Sequence, residues 1–202
     1  MKEAFFEVNL STENKNVVAQ IDQFVKQGRK IDEVDENGDT LLMHAIKNKN
    51  LEAMKKILTY PQNLDIKNNW NRTALIRAAS LNDTATVKLL LAKGAKTDIQ
   101  DDDGMTAAIS ATINNNLEMI TDLKKAKANF ELKDKTGWSP LMWAINGNSF
   151  ETAEKLIISV GVSVSDISEW MDKISCPNRK CFESIIKRSQ IIKDFYKANK
   201  GR

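Results

Sequence analysis

Hydrophobic and polar positions alternate in short, regular blocks along this chain. The same block recurs four times, opening at Asp35, Asn68, Asp101 and Asp134, with a spacing of 33 residues and no insertion. Each block opens with a polar stretch, as in Asp35-Glu36-Asn37-Gly38-Asp39. A hydroxyl residue follows, at Thr40, Thr73, Thr106 or Ser139. Then comes an apolar run such as Leu41-Leu42-Met43-His44-Ala45, and its counterparts end at Ala78, Ala111 and Ala144. A polar break rich in asparagine follows, at Asn50, Asn82, Asn115 or Asn116, and Asn148. A second apolar segment closes the block: Leu51 to Leu58, Ala85 to Leu91, Leu117 to Leu123, and Phe150 to Ile158. Val87, Leu90 and Leu91 show the helical spacing of these segments.

The residues at the joints have physical reasons. Asp or Asn opens a turn by bonding to nearby backbone amides. Gly38, Gly104 and Gly137 allow positive φ in that turn, and Asn71 is the usual substitute. The hydroxyl residues suit helix N-caps, and the alanines let neighbouring helices approach closely. Gly94-Ala95 stops the second helix of its block. The pattern therefore predicts four turn–helix–helix units, at 35–67, 68–100, 101–133 and 134–166. Upstream, Val17, Val18, Ile21, Phe24 and Val25 form a helical stripe ending at Gln27-Gly28, two periods before Gly94. It reads as the second helix of a degenerate capping unit, 1–34, with Ala4, Phe5, Phe6 and Val8 supplying its first helix. Downstream, Gly161 sits one residue late. A short helix around Asp166 to Ile174 and an amphipathic one marked by Phe182, Ile185, Ser189, Ile192 and Tyr196 read as a C-terminal cap, 167–202.

The period and pattern resemble the ankyrin repeat, with its turn, Thr-Pro-Leu-His-x-Ala run and antiparallel helix pair. Only Pro140 keeps the proline. Met43, Ile76, Ile109 and Met142 stand where that family has histidine. The resemblance covers roughly residues 15 to 165. It implies a single all-α domain, an ankyrin-repeat solenoid whose units are joined by β-turn hairpin loops, with helical caps. It also implies a protein-binding role, gripped through the hairpin tips and the inner face of the first helices. Carried onto this chain, the contact residues are Asn37, Asp39, His44, Trp70, Arg72, Arg77, Leu81, Asp103, Met105, Ile113, Trp138 and Trp143. A tryptophan at a loop tip makes little sense unless something covers it. The bland alternative is that these rings fold back on adjacent repeats.

Composition changes the picture little. Hydrophobic residues make up 42% and charged residues 28%, ordinary values for a globular chain. Net charge is only +3, which by itself does not call for nucleic acid. Residues 172–202 carry 9 Lys and Arg against 3 Asp and Glu, a net of +6 that leaves the rest at −3. No apolar run approaches membrane-spanning length, and Met1-Lys2-Glu3-Ala4-Phe5-Phe6 is no secretory signal. The chain is expected to be cytoplasmic, or periplasmic if a signal has already been removed, and monomeric alone. Cys176 and Cys181 are spaced for a disulfide in an oxidising compartment.

Catalytic and cofactor chemistry is short of parts. His44 is the sole histidine, so an enzyme reading would have to use it, yet it falls at a variable position of the repeat. Asp98, Asp101, Asp102 and Asp103 hint at calcium, but their spacing does not suit an EF-hand. No cofactor or metal is expected. The lysine-, asparagine- and isoleucine-rich composition looks bacterial. Small bacterial proteins of the resembled family often serve as inhibitors or immunity partners of hydrolases and toxins. That resemblance implies self-protection against a cell-wall peptidase. The alternatives are an adaptor that tethers two proteins, or an unrecognised enzyme.

Overall fold

The computed structural model describes residues 7–13 and 15–163, together with Glu183 and Lys187. Nine α-helices follow one another within 17–154. Helix α1 (Val17–Lys26) precedes four pairs: α2 (Leu41–Lys47) with α3 (Leu51–Ile57), α4 (Ala74–Ser80) with α5 (Thr84–Ala92), α6 (Ala107–Ile113) with α7 (Leu117–Lys125), and α8 (Pro140–Asn146) with α9 (Phe150–Glu154). The first helices stack in chain order, α2 on α4, α4 on α6 and α6 on α8. The second helices form the outer layer, each against its own first helix. Helices of seven residues would not persist alone in water. They persist here because one continuous core runs between them, from Val8 to Val162.

The expected caps form. Thr40, Thr73, Thr106 and Ser139 each accept a hydrogen bond from the amide three residues on. The residues replacing the family's histidine, Met43, Ile76, Ile109 and Met142, are all buried. The polar break resolves into two positions. Lys49, Asn82, Asn115 and Asn148 take positive φ. The residue after each, Asn50, Asp83, Asn116 or Ser149, is the N-cap of the outer helix. Asn50 does more than cap. Its side-chain amide donates to the carbonyls of Leu10 and Ser11.

Those bonds bear on the N-terminal unit, where Val8 was expected in a helix. Residues 7–11 form no helix. Glu7 has φ 52°, and the amides of Asn9 and Ser11 bond to the side chains of Gln20 and Asn9 rather than to helical carbonyls. Val8 and Leu10 point inward and Glu7 and Asn9 outward, the alternation of an extended strand. Ala4, Phe5 and Phe6 lie outside the described residues. So do Cys176, Cys181 and nearly all of the expected C-terminal cap, of which Glu183 and Lys187 are helical.

The late Gly161 has a structural cause. Helix α9 runs on into a π-helical turn, Lys155–Val160, which takes up one extra residue. Gly161, at φ 89°, closes it by donating to the carbonyl of Leu156.

Two ladders stitch the units together. On one side the hairpins bond tip to tip, the amides of Asn69, Asp102 and Lys135 donating to the carbonyls of Asn37, Trp70 and Asp103. On the other, side chains at Asp32, Asp65, Asp98 and Glu131 accept from the amides of Asn63, Lys96, Asn129 and Ser163 in the next unit. Asp98 belongs to this second ladder.

The tip ladder sets the glycine requirement. A Cβ on Gly104, which has φ +76°, would lie 2.7 Å from the Lys135 amide nitrogen and 2.8 Å from the Asp134 Cα. At Gly137, φ +82°, it would meet nothing within 4 Å. Gly137→Ala is therefore expected to cost about 1 kcal/mol of backbone strain, and Gly104→Ala about 2 to 3, because the next hairpin must also shift. Urea unfolding of the two variants measures the difference; equal losses would show that the tip contact is slack.

Candidate functional site

Each hairpin is built on one turn residue. The Oδ1 atom of Asp35 accepts from the amides of Asn37 and Asp39. Asn68 does the same for Trp70 and Arg72, Asp101 for Asp103 and Met105, and Asp134 for Thr136 and Trp138. These bonds satisfy the amides that a tight turn would otherwise strand, and they fix the tips as rigid knuckles.

The second side-chain atom of each turn residue finds a different partner. His44 Nε2 lies 2.9 Å from Asp35 Oδ2. The carboxylate can only accept, so that nitrogen carries the proton. Trp143 Nε1 donates to Asp134 Oδ2 over 2.8 Å. Arg72 Nε donates across from the preceding hairpin to Asp101 Oδ2 at 3.0 Å. Asn68 Nδ2 donates to Asp39 Oδ1 at 2.7 Å, where Arg77 also closes on both Asp39 oxygens at 2.7 and 2.9 Å. His44 and Trp143 occupy the same place nine residues after their turn residue, and tryptophan has no acid–base chemistry. The role they share is to hold the hairpin base.

Burial pushes the Asp35 carboxyl up, but the hydrogen bonds from His44 and the amides of Asp39 and Asn37 outweigh it and hold it below the usual carboxylate range. Asp134 behaves alike: burial raises it, while the Thr136 hydroxyl, the Trp138 amide and the Trp143 indole together lower it further. A carboxyl whose pKa falls on folding stabilises the fold above its unfolded value and loses that contribution as pH drops through the folded one. Asp134→Asn is therefore expected to lower stability at neutral pH and to make the acid limb, as pH falls through and below the usual carboxylate range, shallower than the parent's. Thermal melts across that range check it; an unchanged acid limb would contradict the assignment.

The expected contact residues thus divide. Asp39 is only 6% exposed and its carboxylate faces Arg77 and Asn68. Arg77 and His44 are held inside the same framework. Trp138 packs against the core and lies 4.8 Å, ring centre to ring centre, from Trp143 at a tilt of 59°. Those two rings meet at the base of their own hairpin rather than on an adjacent repeat. Met105 is half-buried and its carbonyl closes its own hairpin. Asn37 gives its carbonyl to Asn69, and its side chain is at the exposed tip.

The remainder face outward. Trp70 is 51% exposed, the most exposed of the chain's described large apolar side chains. Leu81 and Ile113 stand out at the far ends of α4 and α6. Arg72 and Asp103 are exposed beside Trp70, 3.8 Å apart. Sequence reasoning placed these positions but missed the inward set. The signal was present: His44, Arg77 and Trp143, all N–H donors, recur nine residues after Asp35, Asn68 and Asp134.

Among the described residues no group of three or more acidic, histidine or cysteine side chains could hold a metal ion. No described helix is long and apolar enough to cross a membrane. What the geometry offers is a rigid row of hairpin tips beside a row of inner-helix ends. A stack of helix pairs with such an edge is a repeat scaffold for binding other proteins. A profile of ankyrin repeats (three copies) matches residues 9–101 and again 78–167. The chain belongs to the ankyrin-repeat family, whose domains are typically non-catalytic protein–protein interaction modules. None of the curated proteins matches it.

Proposed function

We propose that this protein binds one partner protein through its hairpin tips and the exposed ends of its inner helices, and that binding inhibits that partner. The partner is a hydrolase from which the producing cell must protect itself, a peptidoglycan hydrolase or similar toxin, met in the periplasm. The observation that carries the binding surface is Trp70. An indole half exposed at the tip of a turn, with its amide bonded to Asn68 in its own hairpin and its carbonyl accepting from Asp102 in the next, costs little entropy to bury. Leu81 and Ile113 add apolar area on the adjacent inner helices. The inhibitory role rests on analogy with small ankyrin-repeat proteins that act as inhibitors or immunity partners, and on no residue of this chain.

The test uses the full chain as bait against cytosolic and periplasmic extracts separately. One hydrolase is expected from the periplasmic extract, its activity falling to background at one equivalent of this protein. A captured partner that keeps full activity when saturated would replace inhibition with an adaptor role. Capture only from the cytosolic extract would overturn the compartment.

A further inference from the structure

We infer that the tip ridge around Trp70 takes a lysine- or arginine-bearing segment of its protein partner, with the cationic side chain laid on the exposed indole face. The inference rests on the tip-centred reading above and specifies the chemistry it would recognise.

Trp70 offers a large π face at the surface, 51% exposed. Such a face attracts an ammonium or guanidinium placed over it. Its surroundings carry the matching charge. The tip after it presents Asp102 and Asp103, both exposed. These two are tied to the Trp70 tip itself. The Asp102 amide donates to the Trp70 carbonyl at 3.0 Å, and Asp102 Oδ1 accepts from Asn71 Nδ2 at 2.6 Å. Asp103 has a side chain 76% exposed. The one cation in the group, Arg72, has its Nε bonded to the buried carboxylate of Asp101 at 3.0 Å and lies 3.8 Å from Asp103. Carboxylates therefore outnumber the cation on these two tips. An apolar or acidic segment would leave those carboxylates desolvated or repelled; a basic segment would pair them. Trp70 supplies the contact area, and the carboxylates select the sign of what covers it.

The experiment is a selection of random dodecapeptides displayed on phage, panned on the full-length protein. Peptides bearing Lys or Arg beside an apolar residue are expected to be enriched. Their synthetic versions should bind Trp70→Ala at least about tenfold more weakly, and Asp102→Asn/Asp103→Asn about five- to tenfold more weakly. Added salt should weaken the parent's binding more than that of the doubly neutralised variant. Panning that enriches no Lys- or Arg-bearing peptide overturns the inference, as does enrichment of apolar or acidic peptides. If those apolar peptides still lose affinity on Trp70→Ala, the tip-centred reading survives and only its chemistry was wrong. If enriched peptides bind Trp70→Ala as tightly as the parent, both fail together. The variants are surface changes, and circular dichroism melts matching the parent's keep a folding defect from imitating the result.

Discussion

Asp39→Ala is expected to destabilise the protein by about 3 to 5 kcal/mol, a loss of roughly 10 °C in melting temperature. The size follows from what the carboxylate leaves behind. Both of its oxygens accept from one Arg77 nitrogen, at 2.7 and 2.9 Å, and Oδ1 also accepts from Asn68. The Arg77 side chain is only 14% exposed. Without Asp39 its guanidinium keeps the Met43 carbonyl at 3.4 Å and little else. An uncompensated buried charge costs far more than a pair is worth. Asp39→Ala/Arg77→Met is therefore expected to be more stable than Asp39→Ala alone, and the double-mutant cycle measures that coupling. The exposed pair of Lys88 and Glu118 is the contrast, since both side chains are well solvated. Glu118→Ala is expected to cost under about 1 kcal/mol. A loss below about 1 kcal/mol for Asp39→Ala would mean that the hairpin base tolerates a free cation, against the packing described above.

Trp70→Ala carries the other large effect, and it falls on binding rather than on stability. An aromatic anchor at the centre of an interface contributes about 2 kcal/mol or more, roughly 30-fold in Kd. The same change should leave the melting temperature within a few degrees, because half of the ring already meets water. Trp143→Ala should do the reverse. It removes the indole bond to Asp134 and the tilted ring contact with Trp138, so it weakens the fourth hairpin. Calorimetric titration of the captured partner together with thermal melts of both variants separates the two. A Trp143 variant that lost more affinity than the Trp70 variant would move the anchor to the fourth tip.

Much of this was legible in the sequence because the period is unbroken. A turn aspartate, a glycine, a hydroxyl cap and a close-packing alanine at a fixed spacing leave little freedom in the fold, and the helices fall where the periodicity put them. The late Gly161 was visible too, although a pattern cannot tell a looped-out residue from the π turn that absorbs it. The non-helical run at Val8 escaped because alternating inward residues over so short a stretch read equally well as helix. The exposure of the expected contact residues was legible only in part. Position in the repeat put Trp70, Arg72, Leu81, Asp103 and Ile113 outside, and these side chains are exposed. It put Asp39, His44, Arg77 and Trp143 outside as well, whereas each closes a bond to a neighbouring turn residue or hairpin. Those bonds join residues nine apart within a unit or in adjacent units, and a reading made unit by unit does not connect them.

The claim that the hairpin tips and inner-helix ends form the binding face is tested most directly by site-specific photocrosslinking in the native cell. A photoreactive phenylalanine would replace Trp70, Leu81 or Ile113 on that face, and Lys55 or Lys88 on the outer helices. One crosslinked partner is expected from the first three positions and none from the last two. The same partner crosslinking at Lys55 and Lys88 but not at Trp70 would place the interface on the outer helices and contradict the account.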